Sequence, residues 1–318
     1  MLFNLLFLVL GFVFLIKGAG LLVDGAVSAA KKFKLSDMVI GMTIVAFGTS
    51  APELFINLIA NFNNASGLAL GNIIGANIAN ILLIAGVAAI IYPIRIKNKF
   101  EWTEIVIGLG AIVLIFILAN DFLLSFLRPS YLGRLDGIAL LLFFLVFVYY
   151  TLGGAKNQKC QHTCFHHCGH LATWLYIIIG IAGLSLGGKL LVDNSVILAR
   201  YFGLSEAIIG LSIIAIGTTL PELAASAIAA WKKEADLAIG NVIGSVVFNF
   251  TFILGLNALI KPIPFDLNLN DDLIICVGAT AILLYFIWTG KKRDKIEHWE
   301  GIALFCAYLV YISYLFTR

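Results

Sequence analysis

Apolar residues run along this chain in long blocks, separated by short clusters of charged and turn-forming residues. The blocks fall near 2–28, 36–62, 67–92, 102–120 and 133–152, then after a polar interval near 171–199, 205–231, 236–260, 271–290 and 298–316. Each has room for the ~20 residues a helix needs to cross the hydrocarbon part of a bilayer. The pattern predicts an all-α polytopic membrane protein with ten transmembrane helices. Asn4 is the only polar residue ahead of the first apolar run, and the basic leader of a signal peptide is missing, so this block is expected to be a helix of the mature protein.

Composition agrees. Of 318 residues 61% are apolar and 12% charged, with mean hydropathy +1.01. Such numbers exclude a soluble domain, a coiled coil, a disordered tail and a disulfide scaffold. The net charge of +3 is uninformative in bulk, and no basic module suggests nucleic acid. Its distribution is informative. Alternate loops hold Lys31, Lys32, Lys34; Arg95, Lys97, Lys99; Lys156, Lys159; Lys232, Lys233; and Lys291, Lys292, Arg293, Lys295. The other set holds Arg128, Arg134, Arg200, Lys261 and Arg318, a ratio of 14 to 5. By the positive-inside rule the first set is cytoplasmic and both termini are non-cytoplasmic.

The chain also repeats itself at an offset of 169 residues. Leu35–Ile94 aligns without a gap on Leu204–Ile263, with about 26 of 60 positions identical. GTSAPE (Gly48–Glu53) lies over GTTLPE (Gly217–Glu222), and GNIIGANIAN (Gly71–Asn80) over GNVIGSVVFN (Gly240–Asn249). LLVD at Leu21–Asp24 and Leu190–Asp193 extends the register backwards. Five predicted helices separate each residue from its counterpart, and an odd number inverts the second half in the membrane. Ser36 and Ser205 would then start their helices from opposite sides. The expected organisation is a first five-helix repeat over 1–152 (core 35–94), a linker over 153–170 and a second repeat over 171–318 (core 204–263). Inverted repeats are typical of transporters, although duplication can also enlarge a purely structural protein.

Most acids sit in loops or at helix ends, but Glu53 and Glu222 each lie 17 residues into an apolar block. A charged side chain at that depth costs roughly 2.5–3.5 kcal/mol, so a chain that carries two at equivalent positions is expected to use them. The competing reading is a neutral structural Glu. Pro52 and Pro221 precede the acids; lacking an N–H, they release the carbonyls of Gly48 and Gly217. Thr49 and Thr218 stand four residues before the acids, one helical turn away, and Ser50 and Thr219 add hydroxyls. Carboxylates, hydroxyls and freed carbonyls at a broken helix form an all-oxygen set suited to a hard cation such as Ca²⁺ or Na⁺. The second motif pair supplies Asn72, Asn77, Asn80, Asn241, Asn249 and Ser245. Asn80 and Asn249 match across the repeat and can turn carbonyl oxygens toward the acids, though an interhelical hydrogen bond would also explain them. Gly71, Gly75, Gly240 and Gly244 are spaced for close helix packing.

These motifs resemble the calcium/cation antiporter superfamily, most closely its sodium/calcium exchanger branch, over essentially the whole chain. The resemblance implies that the second, third, seventh and eighth helices form an ion-binding core, and that the first and sixth slide across it during alternating access. It implies that Glu53 and Glu222 are shared Ca²⁺ and Na⁺ ligands. Thr49 and Thr218 would add backbone and side-chain oxygens, while Ser50 and Thr219 would complete Na⁺ sites with the carbonyls of Ala46 and Ala215. Ser245 would serve one Na⁺ site, and Asn80 and Asn249 the centre. Two departures stand out: some prokaryotic members have an acid where this chain has Asn249, and Ala76 replaces a frequent Ser. The function implied is Ca²⁺/Na⁺ antiport in the plasma membrane, with no enzymatic activity, no cofactor and no identifiable protein partner. Ca²⁺/H⁺ exchange on the same fold is the nearest alternative, followed by a cation channel and, more distantly, an intramembrane enzyme.

One segment stays outside this scheme. Residues 156–170 read KNQKCQHTCFHHCGH and hold Cys160, Cys164, Cys168, His162, His166, His167 and His170. If helical, the cysteines and most of the histidines form separate stripes, which disfavours one mononuclear site. A solvated cytoplasmic linker and a regulatory metal site (Cys160–His170) are the two readings.

Overall fold

The computed structural model describes residues 2–63, 66–95, 99–120, 131–155, 169–201, 215–265, 269–289 and 295–317. The Cys160–Cys168 stretch and the Ser205 cap lie outside them. The chain begins with a long helix, α1 (Leu2–Phe33), which ends where Lys34 takes a left-handed φ of 54°. There the Leu35 N–H reaches back to the Ala30 carbonyl at 2.9 Å, closing the helix end, and Ser36 caps the next helix by accepting from the Val39 N–H at 3.3 Å. That helix is built in pieces: α2 (Asp37–Ile40), a π-turn over Gly41–Val45, α3 (Ala46–Thr49) and α4 (Ala51–Phe62). The chain bends by 46° between α3 and α4, where Ser50 leaves helical geometry (φ −84°, ψ 8°) two residues before Pro52.

The following span joins α5 (Ser66–Ile78), a π-turn over Ala79–Ile84 and α6 (Ala85–Ile91), then strand β1 (Ile94–Arg95). Helix α7 (Lys99–Ala119), strand β2 (Tyr131–Leu132) and helix α8 (Arg134–Ala155) complete the first half. The second half begins with α9 (His170–Tyr201) and continues through α10 (Ala215–Thr218) and α11 (Leu220–Trp231). It goes on to α12 (Ala235–Val247), a π-turn over Phe248–Ile253 and α13 (Leu254–Ile260). Strand β3 (Ile263–Pro264), α14 (Leu269–Thr289), β4 (Lys295–Ile296) and α15 (His298–Thr317) follow. Helix boundaries fall within a few residues of those expected from the apolar blocks. Among the described residues seven helices are long and apolar enough to cross a membrane, eight if the bent α2–α4 unit counts as one span.

From α4 to β1 the first-half elements recur in the second half with bounds shifted by the 169 residues of the sequence repeat. Contacts between the halves are exchanged in the same way. Strand β1 pairs antiparallel with β4 while β3 pairs antiparallel with β2, and α6 packs on α15 while α13 packs on α8. Helices α1 and α9 run antiparallel and pack mainly on each other. Their backbones meet at glycine: a Cβ on Gly18 would lie 2.9 Å from the Gly180 carbonyl, and one on Gly187 would lie 2.8 Å from that of Gly11. The expected close approach is present at Gly240 and Gly244, against Met38 and Met42, but at Gly71 and Gly75 no described residue comes within 4 Å of a Cβ position, because the segment equivalent to 38–42 lies outside the described residues.

Candidate functional site

Both expected acids are buried. Glu53 lies in the first turn of α4 and Glu222 in the first turn of α11, each 1% exposed. The equivalent break in the second half falls at Thr219 (φ −91°, ψ 0°). Prolines are tolerated at such helix starts because an N–H there would have no intrahelical partner. The carbonyls four residues before them, Gly48 and Gly217, receive no hydrogen bond from the prolines.

The hydroxyl of Ser50 ties the halves together by donating to Glu222 Oε1 at 2.8 Å, and it lies 3.1 Å from Ser245 Oγ. Thr49 is aimed at the second half, 3.3 Å from Asn241 Oδ1, and its repeat counterpart Thr218 lies 3.4 Å from Asn72 Oδ1. Asn241 donates in turn to Ser226 Oγ at 2.9 Å and approaches the Glu222 carbonyl at 3.4 Å. Asn249 donates to Asn77 Oδ1 at 3.2 Å. The Ala46 carbonyl accepts from the Ser50 N–H at 3.0 Å and lies 3.3 Å from the Thr49 hydroxyl. Ala215 opens α10, and its side chain lies outside the described ones. Thr219 is buried and immediately precedes α11.

Hydrogen-bond contacts thus join Ser50 to Glu222 and Ser245, and Thr49 to Asn241, while several of the expected oxygens have no hydrogen-bond partner. Three of the four carboxylate oxygens, both of Glu53 and Oε2 of Glu222, are buried without one, as are the side-chain oxygens of Asn80 and Asn249. A buried carboxylate oxygen without a donor is costly unless a cation or water meets it. The polar side chains that meet Glu222 are neutral, Ser50 at its carboxylate and Asn241 at its carbonyl, and no Lys or Arg forms an ion pair with either acid among the described residues.

Sequence reading undervalued three features. Asn80 and Asn249 sit in the equivalent π-turns, a rare local widening of a helix that often marks functional positions. Phe47 stacks on Phe248 at 4.7 Å and Phe248 on Phe252 at 4.9 Å, which fixes α3 against the π-turn carrying Asn249. Ser226, which anchors Asn241, was not singled out, although it falls one turn after Glu222 on the buried face of α11.

A multi-pass helical membrane protein with two buried acids at equivalent helix breaks and no basic partner among the described residues belongs to the cation-handling membrane proteins by class. Comparison narrows the class. The profile of the sodium/calcium exchanger protein family matches residues 3–153 and 172–317. The sodium/calcium exchanger MaX1 of Methanosarcina acetivorans is 33% identical, over 98% of both chains. The inner membrane protein YrbG of Escherichia coli is 32% identical, over 97% of this chain and 95% of its own. The solved structure of the sodium–calcium exchanger NCX_Mj superposes with a TM-score of 0.84 at 30% identity, covering 98% of both chains. The chain belongs to the sodium/calcium exchanger family.

Proposed function

We propose that this protein exchanges Ca²⁺ for Na⁺ by alternating access, with both ions bound in turn between Glu53 and Glu222. The observation that carries the reading is the pair of buried acids, three of whose four oxygens lack a hydrogen bond while the Ser50 hydroxyl, itself 3.1 Å from Ser245 Oγ, meets the fourth. Two carboxylates balance one Ca²⁺ or two Na⁺, and a hard-ion shell of oxygens suits both. Thr49, Thr218, Ser50, Thr219, Ser245, Asn80, Asn249 and the carbonyls of Ala46 and Ala215 are the further ligands in this scheme. The frame is ten spans arranged as inverted five-helix repeats, supported by the antiparallel α1/α9 pair and the exchanged strand pairs. The protein resides in the plasma membrane with both termini outside the cytoplasm.

The deciding measurement is uptake of radiolabelled Ca²⁺ into proteoliposomes under an outward Na⁺ gradient, compared with an outward H⁺ gradient. Uptake driven by Na⁺ supports the reading. Uptake driven by H⁺ alone replaces Na⁺ with protons carried by the two glutamates, and flux that never saturates indicates a channel.

A further inference from the structure

The two halves carry equivalent residues, but they are not in equivalent states. In the repeat register Asn72 corresponds to Asn241, Asn57 to Ser226, Ser50 to Thr219 and Glu53 to Glu222. Thr49–Asn241 at 3.3 Å and Thr218–Asn72 at 3.4 Å are counterparts, and both contacts are present. Beyond them the symmetry fails. Asn241 Nδ2 donates to Ser226 Oγ at 2.9 Å, whereas the corresponding atoms, Asn72 Nδ2 and Asn57 Oδ1, are each buried without a partner. They are a donor and an acceptor, on helices α5 and α4 that pack together as α12 and α11 do. The acids differ in the same sense: Ser50 holds Glu222, while neither oxygen of Glu53 receives a hydrogen bond.

Alternating access in an inverted repeat exchanges the conformations of the halves. A contact formed in one half of one state then belongs to the other half in the opposite state. We propose that Asn57 and Ser226 are paired positioning residues of the transport cycle, and that the Asn241–Ser226 hydrogen bond of this state is replaced by an Asn72–Asn57 bond when the site opens to the other side. The inference rests on the alternating-access reading above.

The amide geometry favours such an exchange. Asn57 spends its own N–H₂ on the Glu53 carbonyl at 2.7 Å, which leaves Oδ1 as a fixed acceptor one turn beyond the acid. A broken Asn241–Ser226 bond would leave buried polar groups unmet, as Asn72 and Asn57 are now, so each state satisfies one pair at the expense of the other. Asn57 and Ser226 are both fully buried, so neither touches solvent in the state described.

The test uses the full chain in oriented proteoliposomes, with native cysteines removed and Ala76→Cys as reporter beside the site. The ratio of its labelling rates by a charged thiol reagent added from each side reports which way the site opens. Ser226→Ala removes the partner used in this state and Asn57→Ala the one used in the other. The two should move the ratio in opposite directions, each by about fivefold, the worth of one net hydrogen bond. Asn57→Ser, which keeps an oxygen acceptor, should restore the ratio toward the parent. Where Asn57→Ala fails to insert, cross-linking replaces it: Asn57→Cys with Asn72→Cys, and Ser226→Cys with Asn241→Cys, should trap opposite sidedness. Shifts in the same direction, or an unchanged ratio in folded variants, overturn the proposal. Ca²⁺ flux in the same vesicles separates the two failures, since a parent that carries no Ca²⁺ refutes the transport reading itself.

Discussion

At the scale of single residues, the site depends on charge held where charge is expensive. Glu53→Gln and Glu222→Gln keep volume and remove the negative charge that balances Ca²⁺, so each is expected to reduce Ca²⁺ flux to below about a tenth of the parent with folding unchanged. Proteoliposome uptake, with monodisperse elution as the folding control, checks this; retained flux in both would show that the acids are structural. Asn249 offers a finer prediction. It is neutral, donates to Asn77 and leaves Oδ1 without a partner. Asn249→Asp adds a third negative charge to two carboxylates that already balance one Ca²⁺. The expected effect is a lower half-saturating Na⁺ concentration, by severalfold, with a smaller change for Ca²⁺. Ala76→Ser is the companion, because Ala76 stands at the repeat position of Ser245, whose hydroxyl lies 3.1 Å from that of Ser50. A change in Ca²⁺ affinity alone in both variants would place these positions outside the Na⁺ sites.

At the scale of elements, the break that presents each acid was legible in Pro52 and Pro221, because a missing N–H acts locally and needs no tertiary context. The π-turns around Asn80 and Asn249 were not legible, since one extra residue in a turn leaves no periodic trace in a uniformly apolar block. The partners of the amides were hidden for a related reason. Asn241 could be seen as polar and buried, but which of Ser226, Thr49 or Glu222 it meets is decided by how α12 sits against α11 and α3. Glycine spacing foretold the close packing of α12 at Gly240 and Gly244, but not the equally tight approaches at Gly41 and Gly18. A Cβ on Gly41 would come 2.6 Å from the Leu237 carbonyl, and one on Gly18 2.8 Å from the Leu184 nitrogen, backbone atoms that cannot step aside. Gly41→Ala and Gly18→Ala are therefore expected to cost about 1–3 kcal/mol each. Thermal unfolding in detergent should show lower midpoints for both. Gly20→Ala, whose Cβ meets nothing within 4 Å among the described residues, is the unchanged control.

At the scale of the whole molecule, the sequence repeat and the lysine and arginine distribution make independent claims about which loops share a side, and the strand pairs supply a third. Strand β1 carries Arg95 and pairs it with Lys295 of β4, so two loops from the lysine-rich set meet. Strand β2 pairs with β3, which joins the loop before Arg134 to the loop after Lys261, both from the lysine-poor set. Paired strands cannot lie on opposite faces of a bilayer, so for these four loops the strand pairs agree with the grouping deduced from charge. The proposed inversion has a specific contact behind it: α4 and α11 are repeat counterparts, yet the end of α4 is joined to the Lys261 loop by Asn61 Nδ2 on the Lys261 carbonyl at 3.3 Å, while α11 ends at Lys232 and Lys233, which belong to the lysine-rich set. Single cysteines placed by Arg95→Cys and Lys233→Cys in a cysteine-free chain should react with an impermeant thiol reagent only from the cytoplasmic side. Those placed by Arg134→Cys and Lys261→Cys should react only from the other side. If Lys233→Cys and Lys261→Cys label from the same side, the halves are not inverted, and exchange of their conformations can no longer serve as the transport step.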